Sequence, residues 1–152
     1  MAPAFALPAG TGKTVRLWDY KQRKAAVIYF LGGSEVALLG QLRSDAPVYR
    51  EAGAELLVIS AQTAARVTEL TAELGLDYPL LADPDQAVHT RYIQLTYPQY
   101  NPQEVREKPL ALFIADRFGA VNRYATTTDP NKLPSQTEIL EVLEFLGNLC
   151  NP

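Results

Sequence analysis

Three short apolar runs constrain this chain more than anything else in it: Ala25-Ala-Val-Ile-Tyr-Phe30, Leu56-Leu-Val-Ile-Ser60 and Leu110-Ala-Leu-Phe-Ile-Ala115. A strand with one wet face alternates apolar and polar side chains. A strand buried on both faces does not, and reads as a continuous run of β-branched, aromatic and aliphatic residues. Three such runs predict central strands covered on both sides. Between them the pattern changes to helical spacing. Gly32-Gly33 breaks the first run, and a helix is expected from Ser34, whose hydroxyl suits an N-cap, with Glu35 at the positive end of the helix dipole. Val36, Leu39 and Leu42 supply its apolar stripe; Pro47 is expected to kink or restart it before Gly53 closes it.

A second helix is expected from about Gln62 to Leu74, with Val67, Leu70 and Leu74 on one face and Gly75 as its stop. Tyr78-Pro-Leu-Leu81 reads as a short extended piece, and Asp83-Pro84 as the start of a helix toward Tyr92, Asp capping and Pro in the first turn. Residues Thr96 to Pro109 are loop by composition. Asp116-Arg-Phe-Gly119 turns the third run into a hairpin partner, Ala120 to Ala125. A last helix, about Ser135 to Leu149, carries Ile139, Val142, Leu143, Leu146 and Leu149 at helical spacing. The order β-α-β-α-(short β)-α-β-β-α predicts an α/β fold: a thioredoxin-like three-layer sandwich, a central mixed sheet with helices on both faces.

The chain has 152 residues, the size of one ordinary domain, and the expectation is a single domain over 1–152. Its net charge of −3 gives no basic excess for a nucleic-acid partner. Lys21, Arg23 and Lys24, the one tight basic cluster, read as a solvated turn. A single cysteine, Cys150, cannot form an internal disulfide, and a cysteine-based zinc site lacks its ligands. The amino terminus has no secretory pattern and no run of about 18 apolar residues occurs, so no membrane partner is expected and the cytoplasm is the expected compartment.

Several stretches resemble the alkyl hydroperoxide reductase and thiol-specific antioxidant family, the peroxiredoxins. Ala2-Pro-Ala-Phe-Ala-Leu-Pro8 is similar to the family's opening A-P-x-F-x-L hairpin, and Thr14-Val-Arg-Leu-Trp-Asp-Tyr20 to its V-x-L-x-D-Y continuation. Gly53 to Ser60, Leu76 to Asp85 and Ala111 to Gly119 resemble its G-A-E-V-x-x-(V/I)-S, L-x-(F/Y)-P-L-L-x-D-P and (T/L)-F-(I/V)-I-D-x-x-G segments, in family order. The resemblance implies a redoxin domain, and an activity that depends on a cysteine in the first turn of the helix after the first central strand. There the helix dipole and nearby cations lower the thiol pKa into a reactive range.

At that place the chain departs from the pattern. Phe30-Leu-Gly-Gly-Ser-Glu-Val-Ala-Leu38, set without gaps against F-x-G-x-x-C-P-x-C, puts Glu35 and Leu38 at the two cysteine positions; a shift of one residue puts Ser34 or Ala37 there. The family's supporting arginine corresponds to Leu110. The degenerate segment is therefore Gly32, Gly33, Ser34, Glu35 and Leu38, with Leu110 opposite, and no catalytic residue is assigned. Ser34 as a nucleophile would need a base, and His89 has no Ser-His-acid spacing to serve it.

Other signals read blandly. Gly10-Thr-Gly-Lys-Thr14 imitates the end of a P-loop, but Leu7 stands where its first glycine belongs, so a hairpin turn is expected. His89 is expected on a surface or partly packed helix face. Asp77, Asp83 and Asp85 lack the calcium-loop pattern and read as turn and cap. Tyr92, Tyr97 and Tyr100, with Pro98 and Pro102, suggest a self-packed aromatic loop or a recognition surface. No cofactor and no metal are expected. Two functions stay open. One is a redoxin without thiol peroxidase activity that acts by binding a protein or small molecule, a second copy included; the other is a thiol-dependent antioxidant oxidoreductase using Cys150 or a partner's thiol.

Overall fold

A computed structural model describes residues 1–20, 23–103 and 108–150, with the side chains of residues 149 and 150 left aside. Lys21, part of the basic cluster, and residues 104–107 of the proline-rich loop lie outside the described residues, as does the side chain of Cys150. A short antiparallel hairpin, β1 (Ala6–Pro8) and β2 (Thr14–Arg16), precedes the main sheet. Its turn is the Gly10–Thr14 segment, where Gly12 takes φ +88° and its N–H donates to the Ala9 carbonyl. A side chain is strained at that φ, so Gly12 serves the hairpin turn, whereas Gly10 leaves room for Thr71 and the Val67 carbonyl of the neighbouring chain segment.

The sheet has five strands in the order β5-β4-β3-β6-β7. β3 (Ala25–Leu31), β4 (Ala54–Ser60) and β5 (Leu80–Ala82) run parallel, while β6 (Leu110–Ala115) is antiparallel to both β3 and β7 (Val121–Thr127). The three apolar runs are thus the three middle strands, hydrogen-bonded on both sides. Alternation along β3 divides the core. Val27, Tyr29 and Leu31 face α1 (Val36–Glu51), α2 (Ala64–Leu74) and α4 (Gln136–Cys150). Ala26, Ile28 and Phe30 face α3 (Ala87–Thr96) and the amino-terminal segment. This is the mixed three-layer sandwich expected from the element order.

Three expectations need correction. α1 runs unbroken through Pro47. An interior proline removes one helical hydrogen bond and costs about 3 kcal/mol. The packing of Leu39, Leu42, Ala46 and Tyr49, all buried on the sheet, outweighs it. α1 also begins one residue late: its N-cap is Glu35, not Ser34. The helix after Pro84 starts only at Ala87. Asp83 still anchors it from a distance, its carboxylate accepting from the N–H groups of Val88 (3.4 Å) and His89 (3.0 Å). Gln86, at φ +56°, makes the turn between them. Of the three tyrosines, Tyr92 belongs to α3 and is wholly buried, its hydroxyl donating to the Pro3 carbonyl at 2.7 Å. Tyr100 packs against the same layer, while Tyr97 is exposed.

Candidate functional site

Parallel strands end together, and the crevice outside their carboxyl ends is where open α/β sheets bind ligands. β3 delivers Gly32 and Gly33 to that edge. The loop is held by the neighbouring strand: Ser60 Oγ lies 3.1 Å from the Gly32 carbonyl, and Gln62 Nε2 donates to the Gly33 carbonyl at 3.1 Å. Ser60 Oγ is also 3.1 Å from Gln62 Oε1, so its single proton serves one acceptor at a time.

Glu35 then begins α1 without capping it, its side chain accepting no N–H of the first turn. The carboxylate folds back over Gly32. A Cβ placed on residue 32 would stand 3.4 Å from Glu35 Oε2 and 3.6 Å from Oε1, so glycine leaves room for the acid. Ser34 Oγ donates to Oε1 at 3.2 Å. Oε2 is buried and meets no donor among the described residues.

Beside this acid is a cavity of about 320 Å³. Gly32, Ser34 and Glu35 form one wall; Leu110, at the start of β6, and Lys108 form another. Gln86, at the turn into α3, and Thr128, just past β7, complete the lining. Lys108 Nζ donates to Gln86 Oε1 at 3.2 Å and forms no ion pair among the described residues.

Behind the lysine stands His89. It is 2% exposed, against the expectation of a surface or partly packed position. Its ring stacks on Phe30 with centroids 5.1 Å apart, and Nε2 is 2.9 Å from the Pro109 carbonyl. A carbonyl only accepts, so Nε2 carries the proton. Burial, above all, holds the imidazole down at about 4, and nearby Lys108 acts in the same direction. The neutral ring thus tethers the backbone next to Lys108. Among the described residues no serine pairs with the histidine: His89 bonds to Pro109, and Ser34 to Glu35.

Of the residues singled out in the sequence, Gly32, Ser34, Glu35 and Leu110 meet at one cavity. Gly33 lies beside it against Gln62. Leu38 does not line it; half-buried on α1, it packs against the core. α4, the helix that carries Cys150, brings Leu146 and Gly147 against Ala25 and Gly53, at the opposite end of the sheet. β3 has seven residues between those ends, a span of roughly 20 Å. Sequence reasoning missed Lys108, Gln86 and Thr128. The signal for Lys108 was present: a cation two residues before Leu110, where the resemblance asked for an arginine.

A mixed five-stranded sheet flanked by helices, with a shaped crevice where β3 passes into α1, defines a thioredoxin-like domain of the redoxin class. The profile of the AhpC/TSA family matches residues 1–124, and the chain belongs to that family. Two Mycobacterium tuberculosis proteins, from strains CDC 1551 / Oshkosh and ATCC 25618 / H37Rv, are provisionally described as peroxiredoxins. Each is 28% identical to it over 123 residues, 79% of this chain and 78% of the relative. Among solved structures, a Xanthomonas campestris peroxiredoxin Q superposes with a TM-score of 0.75 at 17% identity, covering 93% of this chain and 90% of the other. The peroxidoxin BcpB of M. tuberculosis gives 0.72 at 16% identity, with 97% and 94% covered. A reduced 2-Cys peroxiredoxin of Plasmodium vivax gives 0.72 at 19%, with 99% and 96% covered. At these identities the likeness is one of fold. Among the described residues no helix is long and apolar enough to cross a membrane.

Proposed function

We propose that this AhpC/TSA-family protein has no thiol peroxidase activity of its own and acts as a binding protein through the crevice at the start of α1. The observation that carries this reading is the carboxylate of Glu35 where the resemblance asks for a reactive sulfur, with Leu38 half-buried against the core. A thiolate reduces peroxide by becoming a sulfenic acid that thiols then regenerate; a carboxylate or a serine hydroxyl has no such route. Cys150 does not supply the sulfur within one chain, a point supported by the placement of α4's last turns at the far end of the sheet. The cavity is open, lined by charged and hydroxyl groups, and large enough for a small solute. We place the protein in the cytoplasm as one redoxin domain over residues 1–152, supported by a single cysteine that rules out an internal disulfide framework. Its partners are small molecules or proteins, a second copy included.

The test is peroxide consumption with dithiothreitol or thioredoxin as reductant. The expected rate equals that of buffer, before and after Cys150→Ser. A robust rate that survives Cys150→Ser, or one abolished by it, overturns the reading; the second result would give the function to the thiol.

A further inference from the structure

Resting on the binding role proposed above, we propose that the crevice recognises a small zwitterion of the α-amino-acid type, its ammonium at Glu35 and its carboxylate at Lys108. Two opposite charges line one cavity of about 320 Å³, yet no salt bridge joins them. Each has bonding capacity left. The Glu35 carboxylate accepts one hydrogen bond among the described residues, from Ser34 Oγ to Oε1, and an ionised carboxylate has acceptor sites for several. Lys108 has three N–H donors, and the one acceptor it meets among the described residues is the side-chain amide oxygen of Gln86.

A monovalent ligand satisfies one of these groups and leaves the other as it was. An anion would meet Lys108 but face the Glu35 carboxylate across the same space; a cation would meet the reverse. A dipolar molecule satisfies both, and the total charge of the site does not change. Each arm is mechanically held. Ser34 Oγ holds the acid through its hydrogen bond to Oε1. Gln86 holds the lysine head, and the His89–Pro109 hydrogen bond holds the backbone beside it. The hydroxyls of Ser34 and Thr128 and the side chain of Leu110 leave room for a side chain of mixed character.

The experiment is a chemical-shift titration of the full chain with each of the twenty standard L-amino acids. For the tightest binder it is repeated with the decarboxylated amine and the deaminated acid. Saturable shifts at the amides of Ser34, Glu35 and Lys108 are expected, with affinity falling about tenfold or more for either single-charge analogue, the size of one charge-assisted hydrogen bond. Lys108→Met should weaken the amino acid and the acid but leave the amine unchanged; Glu35→Gln should do the converse. Equal affinity for the amino acid and one analogue overturns the proposal, as does the absence of saturable shifts with all twenty. Those results, with peroxide turnover still absent, remove the ligand class and leave the binding role standing. Peroxide turnover removes the binding role itself.

Discussion

Two helices of this protein begin in the same way topologically, each leaving the carboxyl end of a parallel strand, and they begin very differently in chemistry. α2 follows β4 through Thr63, an extended residue (φ −68°, ψ 159°) whose hydroxyl accepts from the Arg66 N–H at 3.2 Å. That bond satisfies one of the orphan donors of the first turn. α1 follows β3 through Glu35 (φ −94°, ψ 46°), whose side chain caps nothing and lies back over Gly32 beside a cavity. The first start supplies its own cap. The second keeps a buried carboxylate oxygen without a donor among the described residues, and a crevice next to it. Side chains at a helix start are free either to close the helix or to face a ligand, and under the proposed function these two helices divide the tasks.

The contrast holds only if stability resides beneath the start of α1 and not in it. The largest effect is expected at Phe30, which packs against Tyr92 at 4.7 Å and against Phe113 at 5.9 Å between ring centroids and is wholly buried. Phe30→Ala should cost about 3–5 kcal/mol in urea unfolding. A loss under about 1 kcal/mol would mean that the foundation of the site lies elsewhere.

Next comes the acid dependence through His89. Its pKa in the folded chain, about 4, lies below its ordinary 6.5, so the unfolded chain binds more protons between those values. The contribution of the neutral ring is full above pH 6.5 and lost progressively as pH falls toward 4, in total on the order of 3 kcal/mol. Unfolding midpoints measured from pH 7 to 4.5 should show this slope, and His89→Gln should flatten it. An unchanged slope in the variant would assign the acid dependence to other groups.

The two smallest effects test the helix starts directly. Thr63→Ala should destabilise by about 1 kcal/mol, the usual worth of an N-cap. Glu35→Ala should change stability by less than about 0.5 kcal/mol, because no cap bond is lost and a donorless buried oxygen is removed. Equal costs at the two positions would erase the distinction.

Much of this was readable in the residues. The unbroken runs at 25–30, 56–60 and 110–115 became the three middle strands because burial on both faces leaves no room for polar alternation. Gly12 and Gly119 marked turns for a reason local to each, a positive φ. The degeneracy of Gly32 to Leu38 was likewise legible, since a missing sulfur is a fact about composition.

Local pattern failed where a distant partner decided the outcome. Pro47 looked like a break, and packing on the sheet overrode it. His89 looked like a surface or partly packed residue because a lone histidine on a short helix carries no burial signal; Phe30 and the Pro109 carbonyl, both far away in sequence, enclose it. Lys108, Gln86 and Thr128 come from three separate connections. Lys108 meets Glu35 because β6 pairs antiparallel with β3 and brings its leading residues to the edge where α1 starts. Thr128 does so because β7 pairs with β6, and Gln86 because β5 joins the same sheet through β4. Which residues are apolar, and at what period, is a property of the chain. Which charges end up sharing one cavity depends on strand pairing across about eighty residues, and no local preference encodes it.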